Sequence, residues 1–475
     1  MNHGSSVDQL ASVLRAELER YPEGGRLPSS RTLMERHRVS PVTVSRAIAA
    51  LVAEGSVVSR PGAGVFRARL RAAPRPGGDV SWQEVALAAD GPAGRGRADA
   101  SGVLGTLAVP AAGVIDLNGG YPHPSLQPER ALAGALARAG RRPGTWERPP
   151  VEGLPELRAW FARDIGGPDG ALTAADVLIT GGGQSALTTA LRALAAPGAP
   201  VLVESPTYPG ALAVARAAGL RPVPVPVDGD GLRPGLLADA FRATGARVLV
   251  CQPLFHNPTG AVLAPERRHE VLRIAREAGA FVVEDDFARL LAHSDAPPSP
   301  RPLAADDPDG VVVHIRSLTK ATSPSLRIGA LTARGPALER LRTTQVVDSF
   351  FVPRPLQETA LELVGSPAWR THLRRLAEGL RERRSALAAA LHGALPELRT
   401  RIPHGGYHLW LRLPDGTDEA ALAAAALAEG VAVTPGRAYY PAEPPAPHLR
   451  LTHISAAGTA QLAEGVERLR RAVVR

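Results

Sequence analysis

From Val114 onward the chain repeats one pattern, and that pattern restricts the possible folds more than any other feature. Short β-branched runs alternate with longer Ala/Leu-rich stretches of helical spacing. The candidate strands are "DVLIT", "PVLVE", "ARVLVC", "AFVVED" and "GVVVHIR", with helices such as "SALTTALRALA" and "PERRHEVLRIAREAG" between them. That alternation predicts an α/β body: a mostly parallel sheet covered by helices on both sides. At 475 residues, 44% of them hydrophobic, the chain is long enough for two or three domains and a sizeable core.

The front of the chain follows a different rule. Residues 1–75 carry 12 arginines against 6 acidic residues, so most of the net charge of +9 sits there. A basic module on a nearly balanced body suggests a nucleic-acid reader joined to something else. Its order is a helix from Val7 ("VDQLASVLRAELER"), a second over Ser29 to Arg36, the turn "HRVS", and a third over Pro41 to Glu54. Ser40 is a good N-cap, and Pro41 suits the first helical position. The hairpin "SVVSRPGAGVFRA" completes a winged helix-turn-helix, whose third helix can enter a major groove.

The words "GRLPSSRTL", "VSPVTVSRAIAAL" and "EGSVVSRPGAGVF" resemble the GntR family of bacterial transcription regulators. The resemblance assigns contact with double-stranded operator DNA to Arg31, Ser40, Thr43, Ser45 and the wing near Gly64. Pro41 stands where family members often have arginine, and Arg46 is the residue placed to compensate. A small helical module used only for dimerisation is the alternative for this segment. Residues 1–70 are therefore expected to form the DNA-binding domain. Residues 71–112, rich in Pro, Gly and Arg, read as a linker with a short helix around Trp82. Residues 113–475 would form the body, with a smaller C-terminal subdomain from about 355.

No stretch reads as a transmembrane helix, and "MNHGSSVDQL" lacks the basic-then-apolar pattern of a signal peptide. The single cysteine, Cys251, excludes an intramolecular disulfide and fits a reducing cytoplasm. Following "ARVLV", it reads as the end of a buried strand rather than as a nucleophile. No metal-ligand pattern stands out.

Two features carry the chemistry. The first is "VLITGGGQSA", in which Gly181–x–Gly183–x–x–Ala186 satisfies the dinucleotide fingerprint, with Glu204 about 20 residues on where a ribose-binding acid belongs. Free amides at a helix start, however, hold a phosphate of any kind. The second is Lys320, the one lysine among 55 basic residues. Arginine can replace lysine as a surface charge, but it stays protonated and cannot form an imine with an aldehyde. A phosphate-bearing aldehyde, pyridoxal 5′-phosphate (PLP), accounts for both features, and a nicotinamide accounts for only the first.

The words "GGGQSAL", "ESPTYPG", "HNPTG", "VVEDD" and "SLTKATSPSLRIG" fall in the order used by fold-type I aminotransferases, which the body resembles over about residues 113–475. The resemblance makes Lys320 the amine that condenses with the PLP aldehyde. It has Asp285 pair with the pyridine nitrogen, Asn257 donate to the phenolic oxygen, and Tyr208 stack on the ring. Gly183, Gln184, Ser317 and Arg327 would hold the phosphate, and Arg450 would grip a substrate carboxylate. There are departures. Phe287 replaces the tyrosine of the usual "EDDY", and Thr319 stands where serine is frequent. Arg148, near Trp146, occupies the position of a tyrosine usual five residues before the element Gly153–Leu157–Arg158, which leaves a cross-subunit phosphate contact in doubt.

A GntR-like reader joined to an aminotransferase-like body is the layout of the MocR/GabR-type regulators. What this resemblance implies is a cytoplasmic homodimer that binds DNA and PLP and senses a small amino compound by transaldimination at Lys320. The alternative is an active aminotransferase carrying a DNA-binding appendage. Arg450 argues for a carboxylate-bearing amine, and α- and ω-amino acids stay equally open.

Overall fold

The computed structural model describes residues 6–18, 21, 24–60, 63–68, 80–88, 99–167 and 170–474. Segments 71–79 and 89–98 of the expected linker lie outside the described residues. The chain divides into two compact units, Met1–Ala93 and Gly94–Arg475.

The first unit contains α1 (Ser6–Glu17), α2 (Ser30–His37) and α3 (Pro41–Ala53), then an antiparallel hairpin of β1 (Val57–Arg60) and β2 (Gly64–Arg67). Local chemistry sets the helix ends. Ser29 Oγ accepts from the Thr32 amide at 3.2 Å, and Ser40 Oγ from the Thr43 amide at 3.1 Å. Pro41 takes the first position of α3, where no helical amide bond is lost. Between the two helices Arg38 adopts a left-handed conformation (φ 52°) that turns the chain. Leu10, Leu14, Leu33, Val44, Leu51 and Val57 form the core. The short helix expected around Trp82 is α4 (Trp82–Ala88).

The second unit opens with α5 (Ser101–Leu107) and β3 (Ile115–Asp116), followed by α6 (Glu129–Ala139) and α7 (Pro155–Gly166). Its centre is an eight-stranded sheet built from β4 (Val177–Thr180), β5 (Pro200–Ser205), β6 (Arg221–Asp228), β7 (Gly231–Leu232), β8 (Val248–Cys251), β9 (Phe281–Asp286), β10 (Val312–Ser317) and β11 (Gly329–Thr332). The order across the sheet is β4-β11-β10-β9-β8-β5-β6-β7. Strands β10, β9, β8, β5 and β6 run parallel, whereas β11 is antiparallel to both its neighbours and β7 to β6. The sheet is therefore mixed, with a parallel centre. Helices α8 (Gly183–Leu194), α9 (Pro209–Ala217), α10 (Pro234–Thr244) and α11 (Pro265–Glu277) supply the crossovers. Each of the five candidate strands read from the sequence lies in this sheet. Apolar cores fill both faces: Leu202, Leu249 and Val282 belong to one, Val203, Val250 and Val283 to the other. That is the alternation expected of strands covered on both sides.

Beyond the sheet come α12 (Pro336–Ser349), α13 (Arg354–Val364) and the long α14 (Pro367–Ala394). A smaller lobe follows: a four-stranded sheet of β12 (Arg399–Thr400), β13 (His408–Arg412), β15 (Thr434–Pro435) and β16 (His448–Thr452), with α15 (Glu419–Ala428), α16 (Thr459–Val474) and β14 (Val431–Ala432). Its core begins at Leu387 within α14 and includes Ile115 and Leu117, because β14 pairs with β3. Ala360, Leu363, Trp369, Leu376 and Leu380, which the sequence groups with the small subdomain, pack instead into the core of the large sheet. Among the described residues no helix is long and apolar enough to cross a membrane.

Candidate functional site

The carboxyl ends of the parallel strands meet the small lobe at one cavity of about 370 Å³. It is lined by all nine residues that the sequence singles out for cofactor and effector: Gly183, Gln184, Tyr208, Asn257, Asp285, Ser317, Lys320, Arg327 and Arg450.

Each side chain arrives for a local reason. Strand β4 ends at Thr180, and the chain turns through Gly182 at φ 93° before α8 starts at Gly183. A Cβ on Gly182 would lie 2.9 Å from the Arg327 guanidinium, so only glycine lets that cation close over the turn. Arg327 donates to Gly181 O at 2.8 Å. The first amides of α8 lack partners within the helix and, with Arg327 above them, form an anion cradle. Tyr208, at the start of α9, donates to Gln184 Oε1 at 3.1 Å, and burial raises its phenol pKa.

Asp285 and Asp286 point to opposite faces of β9, as strand alternation requires. Asp285 lines the cavity, where burial pushes its carboxyl up to about 6 against a 2.7 Å hydrogen bond from Gln252 Nε2. Asp286 faces away and is engaged by Arg289 at 2.8 Å and Arg316 at 3.1 Å. Glu284, Asp286 and His314 together have the spacing of a metal site. Their charge is already met by those two arginines and by the Leu303 and Ala304 amides on Glu284.

Lys320 follows β10, and its Nζ donates to Gly120 O at 2.7 Å while sitting 3.9 Å over the Tyr121 ring. Burial pulls its ammonium down to about 7, with Arg450 and Arg327 pushing the same way and Asp285 opposing them. An amine near neutrality is one that can act as a nucleophile. Arg450 comes from β16 of the small lobe; its Nη2 donates to Asn118 O and, at 3.3 Å, to Thr434 Oγ1.

Other predicted features are placed differently. Glu204 does not face a nucleotide: it is buried, accepts from the Gln252 amide at 2.7 Å and lies 3.3 Å from His256 Nε2. That disposes of the dinucleotide reading of the glycine turn. Trp146 (84% exposed) and Arg148 do not line the cavity. Phe287 does, so the wall carries a ring without a hydroxyl there, edge-on to Tyr407. Cys251 is buried at the end of β8, and burial raises its thiol pKa well above the ordinary value.

Sequence reasoning missed Gly120, Tyr121, Gln252, Tyr407 and Tyr439, all of which line the cavity. It also missed α5, whose Val103, Thr106 and Leu107 form one wall from within the expected linker. The words "NGGYP" and "HGGYHLW" hold three of these residues, and neither carries a chemical pattern that singles it out.

Among the described residues, Asn257 Oδ1, Thr319 Oγ1 and Arg450 Nε are buried without a hydrogen-bond partner, and all three residues face the cavity. Buried polar groups are ordinarily paired, so these await a polar ligand. An amine, a carboxylate, a carboxamide and a guanidinium over a glycine turn match the functional groups of PLP.

In the first unit, Arg31, Ser40, Ser45 and Arg46 are exposed, while Thr43 and Gly64 are half-buried. The hydroxyls of Ser40 and Thr43 are 2.8 Å apart, and Ser40 caps α3, so both serve the helix end. Arg31 pairs with Glu35 at 3.2 Å. Gly64 (φ 113°) leaves room for Arg26, whose Nε lies 2.9 Å from where its Cβ would be. Arg26 and Arg60 are exposed cations beside this wing that sequence reasoning did not single out.

Taken together, the molecule is a PLP-dependent fold-type I protein with a winged helix-turn-helix at its front. Residues 113–469 match the family "Aminotransferase class I and II", and residues 7–66 match "Bacterial regulatory proteins, gntR family". The chain belongs to the class I and II aminotransferase family and, by its gntR-family front, to the MocR-type transcriptional regulators. It is 33% identical to 2-aminoadipate transaminase of Thermus thermophilus, over 80% of this chain and 95% of that protein. It is 30% identical to the HTH-type transcriptional regulator TauR of Rhodobacter capsulatus, over 96% of this chain and 93% of that one. Among solved structures it is similar to the α-aminoadipate aminotransferase LysN of Thermus thermophilus, complexed with N-(5′-phosphopyridoxyl)-L-leucine. The TM-score is 0.75 and the identity 32%, covering 83% of this chain and 98% of that chain.

Proposed function

We propose that this regulator binds operator DNA through residues 1–70 and senses a carboxylate-bearing amine in the cavity of the aminotransferase-like body, to which α5 of the expected linker also contributes a wall. The observation that carries the reading is the convergence of the chain's single lysine and its eight predicted partners on one cavity.

PLP, when bound, supplies an aldehyde that condenses with primary amines and a pyridine ring that withdraws electrons. Lys320 is the resident amine, and its depressed pKa leaves a large neutral fraction at pH 7. Asp285 holds the pyridine nitrogen, Asn257 the phenolic oxygen and Tyr208 the ring face. Gly183, Gln184, Ser317 and Arg327 take the phosphate, the last through its forked donors. Arg450 takes the effector carboxylate, which positions the effector amine to replace Lys320.

Displacing Lys320 alters DNA binding only if the loaded and exchanged forms favour different arrangements of the protein, since equal affinity shifts nothing. The regulator works as a cytoplasmic homodimer, which supplies two readers for two half-sites. The full donor set also favours a second reading, a working aminotransferase. Incubating the loaded protein with an amino donor and a 2-oxo acceptor separates the two. A single spectral change without turnover supports the sensor; sustained transfer of the amino group rejects it in favour of the enzyme.

A further inference from the structure

Beyond the carboxylate, one wall of the cavity, the one that α5 supplies, is mainly apolar. The cations among the described residues that line it are Lys320, Arg327 and Arg450, and the only acid is Asp285. If the cavity holds PLP and senses an amine, as proposed, then Lys320, Arg327 and Asp285 are committed to the cofactor. One cation remains for the effector, and its unpartnered buried Nε marks where an anion goes.

Helix α5 is fastened next to that cation. Asn118 donates through its side-chain amide to Gly105 O on α5 at 2.5 Å, while its own backbone carbonyl accepts from Arg450. Gly102 lets α5 settle close: a Cβ there would lie 3.3 Å from both Ala438 and Pro209. Ala438 precedes Tyr439, whose ring lies 5.4 Å from the Arg450 guanidinium carbon. The cavity wall beside the carboxylate grip is therefore built from Val103, Thr106 and Leu107. Thr106 adds little polarity, because its hydroxyl already donates to Val103 O at 2.8 Å.

We infer that the effector is an amino acid with a single carboxylate and an uncharged, apolar side chain that packs on α5; this rests on the amine-sensing function proposed for the cavity. A second carboxylate has no cation left to meet it among the described lining residues, and burying an unpaired charge is strongly disfavoured. A side-chain ammonium finds no free acid among the described lining residues, because Asp285 is committed to the cofactor. An alkyl chain instead covers Val103 and the half-exposed Leu107.

The test is absorbance titration of the PLP-loaded full-length protein with alanine, norvaline and norleucine, and with glutamate and 2-aminoadipate. In the neutral series, half-saturation should fall roughly fourfold per added methylene. Each acidic analogue should bind at least about tenfold more weakly than the neutral amino acid of similar length. Glutamate or 2-aminoadipate binding as tightly as norvaline or norleucine overturns the inference and leaves amine sensing standing. A band that no amino acid shifts removes the sensing reading itself, and the inference with it. In the double variant Val103→Ala/Leu107→Ala the dependence on chain length should flatten. If the full dependence persists, α5 is not the wall and the assignment is wrong.

Discussion

The winged front and the cavity of the body use their polar groups in opposite ways. In the front, Ser29, Ser40 and Thr43 close helix ends through neighbours three residues away, and the arginines around them face solvent. In the body, Lys320 reaches Gly120 across 200 residues of chain, Arg450 reaches Asn118 across 332, and burial with the neighbouring arginines lowers the Lys320 ammonium pKa. A DNA surface tolerates a missing contact, because phosphate binding sums many weak terms. A covalent cofactor site depends on single atoms. Loss of Lys320 should therefore act all-or-none, other cavity substitutions should have large single-residue effects, and substitutions in the front should act incrementally.

The largest effect is expected at Lys320. Lys320→Ala should remove the visible absorbance band of the bound cofactor while near-UV circular dichroism and DNA binding by the front persist; a retained band breaks the contrast at its sharpest point. Arg450→Leu should raise effector half-saturation roughly 10- to 100-fold, the value of a charge-assisted pair. The cofactor band should stay in place, and an unchanged titration takes the carboxylate grip away from Arg450.

The depressed Lys320 pKa makes a pH prediction with a definite sign. Covalent capture of PLP by the apoprotein needs the neutral amine, so its rate should rise as pH passes through about 7 and level off above it. A lysine with the ordinary value of 10.5 would keep gaining up to that pH, and a rate still climbing steeply at about pH 9 would contradict the effect of burial.

The front should yield smaller changes. Arg46→Ala should weaken binding about equally across DNA sequences and lower the slope of log K against log salt by about 1. A sequence-selective loss would make Arg46 a base reader instead. Ser40→Ala should cost the front about 1 kcal/mol through loss of its helix cap, read as a lower unfolding midpoint. No change in the midpoint would mean that the Ser40–Thr43 bond adds nothing in solution.

Legibility in the sequence follows the same division. The front is legible because its determinants are local: a cap, a proline at the first helical position, a short core pattern. Lys320 stands out for another reason: it is the chain's single lysine, and arginine cannot form an imine. Glu204 shows the limit of spacing. It sits at the distance a ribose-binding acid requires, yet turns inward to the Gln252 amide, and spacing carries no information about side-chain direction. Helix α5 is hidden because "SGVLGTL" holds two glycines in a Pro/Gly-rich stretch. So short a helix is marginal by itself and is held by docking on Ala438 and Pro209. Where the small lobe's core begins is hidden for a similar reason: Ala360 to Leu380 pack with the large sheet, and Ile115 and Leu117 join the small lobe through the pairing of β3 with β14, both long-range choices that local spacing does not encode.

Both the sensing reading and its enzymatic alternative require that one amine in the whole chain hold the cofactor. Borohydride reduction of the PLP-loaded protein, followed by peptide mapping, decides whether it does. A stable pyridoxyl-phosphate adduct is expected on the peptide carrying Lys320 and on no other. An unmodified Lys320 after full reduction would contradict it.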